Sequence, residues 1–112
     1  MSGKTPRVWG QYLEDPAQPG RDIQLDTEAW VEWLEAPATT SFSYPVFDPS
    51  VGYILGFITV RKEQRQRGGS YWSVYRRERG RVRKIYLGRS TMVTRERLEA
   101  TAAMLRDGPT PA

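Results

Sequence analysis

The chain of 112 residues contains no cysteine and no histidine. Without cysteine it cannot form disulfides, thiolate nucleophiles or thiolate zinc sites. Without histidine it lacks the commonest general base and the usual imidazole ligand of transition metals. We therefore expect a protein that is not an enzyme and that uses neither a metal nor another cofactor.

Long apolar runs are missing as well. No segment approaches the about 18 consecutive apolar residues that a membrane helix needs, and the amino terminus has no apolar signal core. We therefore expect no membrane partner and no secretion. The predicted localisation is the cytoplasm, in association with the nucleoid.

The net charge of +4 hides a strong asymmetry along the chain. Between residues 56 and 97, thirteen basic residues stand against three acidic ones, which is a net charge of +10. The rest of the chain carries four basic and ten acidic residues, or −6. A localised positive field steers polyanions towards a protein. The asymmetry therefore predicts an anionic partner for one continuous stretch.

Composition divides the chain into three parts. Residues 1–22 are rich in proline and glycine, which predicts an irregular arm. Residues 23–107 carry the strand and helix patterns of a single α+β nucleic-acid-binding domain. Residues 108–112 are expected to form a flexible tail.

A short helix is predicted before the strands. Asp26 can cap it, and Trp30 and Trp33 then lie on one face. The alternating segment that follows contains Pro45, which favours an edge strand over a central one because proline cannot donate to a ladder. The final helix is expected to begin at Thr94 and to cover the sheet with a stripe of three apolar residues: Leu98, Ala102 and Leu105.

Three strands follow from the remaining pattern: residues 53–64, 70–77 and 81–87. Glycine tolerates the positive φ of tight turns, so Arg79-Gly80 predicts a two-residue hairpin. The resulting register pairs Glu78 with Arg81 and Trp72 with Leu87. It places four residues on one side, named here the apolar face: Trp72, Val74, Ile85 and Leu87. The opposite side, named the basic face, carries Tyr71, Ser73, Tyr75, Arg77, Val82, Lys84 and Tyr86.

The predicted fold is thus α+β, a three-stranded antiparallel sheet with a C-terminal helix on one face and a short Trp-bearing N-terminal helix. Arginine forks onto phosphates or guanine edges, lysine supplies a point charge, hydroxyls bond phosphate oxygens, and tyrosine packs on sugars or bases. The basic face and its flanks therefore supply the candidate nucleic-acid-binding residues: Thr59, Arg61, Arg65, Arg67, Tyr71, Ser73, Tyr75, Arg77, Lys84, Tyr86 and Arg89.

The motifs Y-W-x-x-Y-R-R and K-x-Y-L-G, followed by a Leu-bearing helix, cover roughly residues 56–105. In these motifs the chain resembles a basic module of bacterial MalT-like transcriptional regulators and their small stand-alone relatives. The order of three strands and a helix is more loosely similar to the arm-type DNA-binding domains of tyrosine recombinases. That similarity implies a sheet placed in the major groove, with contacts from Arg61, Tyr75, Arg77, Lys84 and Tyr86.

The function predicted from these features is duplex DNA binding, sequence-selective or general, by a small bacterial transcriptional regulator or mobile-element accessory protein. A homodimer is compatible with this role. Three alternatives stay open. Exposed tyrosines on a sheet also suit RNA or single strands, and the acidic helix and arm suit a protein-interaction module. The third is a hydrolase with paired carboxylates, for which Glu28, Glu32 and Glu35 are the candidates.

Overall fold

The structure, a computed structural model, describes residues 5–64, 68–78 and 80–107. The described residues form seven strands, two α-helices and one short 3₁₀ helix. In chain order these are β1 (Arg7–Trp9), β2 (Tyr12–Glu14), β3 (Asp22–Gln24), α1 (Glu28–Glu35), β4 (Ser41–Asp48), β5 (Tyr53–Gln64), β6 (Ser70–Glu78), β7 (Arg81–Gly88), the 3₁₀ helix (Ser90–Met92) and α2 (Arg95–Asp107).

All seven strands belong to one mixed sheet in the order β3-β2-β1-β4-β5-β6-β7. The pair β1–β4 is parallel, and the other neighbouring pairs are antiparallel. The prediction of a three-stranded antiparallel sheet is therefore wrong. The irregular arm predicted for residues 1–22 is wrong as well, because β1, β2 and the first residue of β3 lie in it.

The three N-terminal strands are short, and each turns one apolar side chain towards the core. Val8, Leu13 and Ile23 are buried between exposed neighbours. Leu13 pairs with both Val8 and Ile23, so the three side chains form one row across the sheet. Cross-strand burial of this row stabilises strands whose own sequence is too short to show alternation.

The fourth strand occupies the middle of the sheet, between β1 and β5. The prediction of an edge strand at Pro45 is therefore wrong. The parallel contact with β1 is registered at Ser43, two residues before Pro45. Since the short β1 does not extend along the whole of β4, the missing N–H of proline breaks no bond in that ladder.

The hairpin of β6 and β7 has the predicted register from Glu78↔Arg81 to Ser73↔Tyr86. Beyond Ser73 a bulge shifts the pairing by one residue, so Trp72 pairs with Gly88 and the predicted Trp72↔Leu87 pair is wrong. A bulge adds one residue to one strand and increases the local twist. Trp72 and Leu87 nevertheless both lie in the core.

Both helices cover the same side of the sheet. In α1, Trp30 stacks on Trp33 with ring centroids 5.6 Å apart, and both rings contact Phe42 of β4. In α2, the predicted stripe Leu98, Ala102 and Leu105 is buried in the same core. Within the ranges that the structure describes, neither helix is long and apolar enough to cross a membrane.

The helix caps differ in part from the prediction. Thr27 caps α1, its hydroxyl accepting from the backbone N of Trp30 at 3.3 Å. Asp26 instead accepts from the backbone N of Arg95 at 3.0 Å, at the start of α2. The carboxylate predicted to cap the first helix therefore stabilises the second, where it also complements the helix dipole.

Candidate nucleic-acid interface

The sheet side opposite the helices, named the open face, is covered by no helix among the described residues. Strand alternation places the predicted Thr59 and Arg61 of β5 on it, in register with Tyr75 and Ser73 of β6. The basic face predicted for the hairpin is thus one part of a wider surface. This surface extends from β3 on one edge to β7 on the other.

A carboxylate stands at the centre of the basic face. Glu63 accepts hydrogen bonds from the Ser73 hydroxyl at 2.6 Å, the Tyr75 hydroxyl at 3.3 Å and the Lys84 ammonium at 3.2 Å. The hydrogen bond from Ser73, followed by that from Lys84, lowers the pKa of Glu63. The hydrogen bonds that the Lys84 ammonium donates to Tyr75 and Glu63 raise the pKa of Lys84. The Lys84 ammonium is therefore paired with a carboxylate of the protein itself.

Aromatic rings and cations alternate across the same surface. The Arg61 guanidinium and the Lys84 ammonium each lie 5.5 Å from the Tyr75 ring centroid. The Arg89 guanidinium lies 5.5 Å from the Tyr71 ring, which is 6.0 Å from the ring of Tyr86. Cation–π contacts of this kind hold the long cationic side chains against the aromatic rings.

The predicted site residues differ in accessibility. Arg61, Arg77, Lys84, Tyr86 and Arg89 are exposed. Thr59, Tyr71 and Tyr75 are half-buried, and Ser73 is fully buried beneath its partners, so Ser73 supports the surface and does not reach out of it. The predicted Arg65 and Arg67 lie outside the described residues.

Two basic residues of the +10 stretch are used within the fold. Lys62 donates to the carbonyl of Ala36 at 3.0 Å, and burial lowers its pKa. Arg97 donates to the carbonyl of Leu87 at 2.9 Å. Their hydrogen bonds to backbone carbonyls leave fewer cations of the stretch available to an anion than the sequence indicates.

The end of the hairpin is a two-stranded segment that is not paired with β5. Registered pairing between β5 and β6 ends at Thr59↔Tyr75. Beyond that point, residues 76–78 pair with residues 81–83 and, among the described residues, with no other strand. We name these two segments the arginine ribbon. Sequence reasoning predicted the hairpin but missed that its end is not paired with β5.

Among the side chains that the structure describes, which do not include that of Glu78 opposite Arg81, four arginines of the ribbon have no carboxylate within 4.0 Å: Arg76, Arg77, Arg81 and Arg83. Arg77 and Arg81 are exposed. Arg76 and Arg83 are half-buried and directly opposite each other across the hairpin. The Nη1 atom of each is buried without a hydrogen-bond partner. Like charges opposite each other destabilise a sheet, so this arrangement favours an anion.

The part of the chain that the structure describes contains no group of three or more acidic side chains placed to hold a metal ion. The chain matches no protein-family model, no curated protein and no solved structure. The resemblance to MalT-like regulators and to recombinase arm-type domains therefore stays a prediction.

Proposed function

We propose that the chain binds duplex DNA by inserting the arginine ribbon into the major groove, while basic side chains beside the ribbon contact the phosphate backbone. The observation that carries the proposal is the set of four ribbon arginines without a described carboxylate partner. No reaction is assigned to the site. Such binding suits a small transcriptional regulator or an accessory protein of a mobile element.

The dimensions of the ribbon support this mode of binding. Neighbouring strands lie about 4.8 Å apart, so a seven-stranded sheet is roughly 29 Å wide. The major groove is about 12 Å wide and admits a helix or a two-stranded ribbon. The open face as a whole is too broad for the groove, whereas the two strands of the ribbon fit.

The chemistry of the ribbon suits both the base edges in the groove and the phosphates beside it. Arg77 is exposed, as is Arg81 near the turn. A guanidinium can donate two bonds to the O6 and N7 atoms of guanine, or a bidentate pair to a phosphate. Gly80, with φ of +79°, permits the tight turn that brings the two strands together at the tip.

A matched pair of charge reversals tests the proposal. Arg77→Glu should weaken binding to a blunt duplex about tenfold or more, because it replaces a groove contact by a repelled charge. Arg95→Glu is the control, since Arg95 is also exposed but lies at the start of α2 on the other side of the sheet. Fluorescence anisotropy with a labelled random-sequence duplex measures both affinities.

The two variants change the net charge equally, so they separate position from total charge. Reduced affinity in Arg77→Glu alone supports the ribbon. Equal losses of affinity in both variants would mean that only the net charge matters. An unchanged affinity in Arg77→Glu would mean that the ribbon does not contact DNA. Competition by single-stranded DNA and by hairpin RNA distinguishes duplex binding from the two nucleic-acid alternatives. If either competes more strongly than duplex DNA does, the proposal of duplex binding is wrong.

A further inference from the structure

The open face carries a second feature on the β1 side of the ribbon. Trp9 of β1 and Phe57 of β5 are each 39% exposed, and their rings meet edge to face at 5.7 Å. The Arg7 guanidinium lies 5.4 Å from the Trp9 ring centroid and 5.0 Å from that of Phe57. Two accessible aromatic rings thus share one cation.

A cavity opens beside Trp9. It has a volume of about 810 Å³ and lies between β1 and the connection from β2 to β3. The lining combines Trp9 with two guanidinium groups and three carboxylates: Arg7, Arg21, Glu14, Asp15 and Asp22. Small-molecule sites have volumes of roughly 300–1,000 Å³, which includes this one.

We propose that this cavity and the Trp9–Phe57 rings bind an unpaired nucleotide of the nucleic acid whose duplex part is held by the arginine ribbon. The base would stack on Trp9, Arg7 and Arg21 would bind phosphate, and Glu14 or Asp22 would accept from amino groups of the base. The inference rests on the proposed function for the duplex that anchors the strand. The preferred ligand is therefore a duplex with a single-stranded overhang.

The chemistry of the surface favours a nucleotide over other occupants. Base–aromatic stacking needs an accessible ring face and tolerates any sequence, and neighbouring cations bind the backbone. An acidic peptide would pair with Arg7 and Arg21 but has no planar group for Trp9.

The position of the rings is consistent with one continuous nucleic acid. Between β1 and β6 lie only β4 and β5, so the two strands are about 14 Å apart. Phe57 lies on β5 two residues from Thr59, which pairs with Tyr75 of the hairpin on the same open face. A strand leaving the duplex at the ribbon can therefore cross the sheet to Trp9 within a few nucleotides.

Affinity for overhang duplexes tests the inference. The wild-type protein should bind a duplex with a single-stranded overhang, of at least one polarity, about tenfold more tightly than the blunt duplex, from one stacked base. Trp9→Ala should bind both duplexes with the blunt-duplex affinity. The matched control is Tyr53→Ala, because Tyr53 is 61% exposed and does not line the cavity.

Tryptophan fluorescence provides a second measurement. Trp30, Trp33 and Trp72 are at most 5% exposed, so a base that stacks on tryptophan should quench Trp9. Quenching should follow binding of the overhang duplex and should be absent in Trp9→Phe. This variant keeps an aromatic ring at position 9 and replaces Trp9→Ala in the test if the alanine variant does not fold. Blunt-duplex binding reports the fold of each variant.

The outcomes separate this inference from the proposed function. Equal wild-type affinity for blunt and overhang duplexes, or an overhang advantage that survives in Trp9→Ala, overturns the inference and leaves duplex binding intact. Overhang binding that depends on Trp9 without any blunt-duplex binding overturns the proposed function and retains the stacking site. Displacement of the overhang by poly-glutamate would show a general acidic-chain site and also overturn the inference.

Discussion

Replacing Arg83 with glutamine should make the protein more stable and, at the same time, a weaker DNA binder. Arg83 lies opposite Arg76 in the arginine ribbon, and the Nη1 atoms of both are buried without a hydrogen-bond partner. The two guanidinium groups destabilise the free protein by repulsion and by incomplete hydrogen bonding. A bound phosphate or guanine would relieve both effects.

The magnitude follows from these two contributions. Cross-strand charge pairs are worth roughly 0.2–1 kcal/mol, and a buried donor without a partner costs about 1–3 kcal/mol. Arg83 is half-buried, so the shorter aliphatic stem of glutamine loses part of its apolar burial and with it part of the gain. We expect Arg83→Gln to raise the free energy of unfolding by about 1 kcal/mol, or the Tm by about 4 °C.

Urea unfolding followed by tryptophan fluorescence measures the stability change, and anisotropy with a duplex measures the affinity. Arg77→Gln is the matched control, because Arg77 lies on the same ribbon but is exposed and pairs with Val82. This control should change stability by less than about 0.5 kcal/mol. Both variants should weaken duplex binding about tenfold.

Two results would refute this reasoning. A lower urea midpoint in Arg83→Gln would mean that the arginine pair stabilises the hairpin. An unchanged duplex affinity in the same variant would mean that the unpartnered guanidinium groups do not serve DNA binding.

Two further predictions concern the basic face and the core. Glu63→Gln should bind duplex DNA more tightly with a steeper salt dependence, since it removes the carboxylate that holds Lys84. The hydrogen bonds that lower the pKa of Glu63 stabilise the fold where this carboxylate is ionised. In thermal melts the stability advantage over Glu63→Gln should therefore be full above the ordinary glutamate pKa of about 4.3 and be lost as the pH falls through the lowered pKa of the folded protein. An advantage that persists in more acidic solution would contradict the role of this carboxylate. Leu98→Ala should lower the free energy of unfolding by about 2–5 kcal/mol in urea titrations, because Leu98 is fully buried on α2; a loss under about 1 kcal/mol would contradict its place in the core.

The β6–β7 hairpin could be predicted from the sequence because two independent patterns agree there. Val74 and Ile85 alternate with polar neighbours on both strands, and Gly80 marks the turn between them. A shift by one residue would have placed apolar side chains on the basic face. The bulge at Trp72 could not be predicted, because it leaves the same residues buried.

The N-terminal strands were missed for a physical reason. A three-residue strand with one buried side chain, such as Val8 or Leu13, has no period that can be recognised in one sequence. Those strands form because β4 offers an edge to pair with. Pro45 also misled the prediction, since its exclusion from central strands assumes a neighbour that runs along the whole strand.

The candidate site was predicted in composition but not in its internal contacts. Glu63 and Lys84 lie on β5 and β7, two strands apart, so no local pattern indicates their ion pair. The rings of Trp9 and Phe57 come together across β4 from positions 48 residues apart in the sequence. Tertiary pairing of strands that are distant in the sequence decides both contacts.

Salt dependence of duplex binding tests the central claim most directly. If the arginine ribbon and its flanks neutralise about six phosphates, the plot of log affinity against log salt concentration should have a slope near −5 between about 50 and 200 mM salt. Anisotropy titrations of the wild-type protein against a blunt random-sequence duplex provide this slope. A slope near zero, or no measurable binding at the lower salt concentration, would contradict the account.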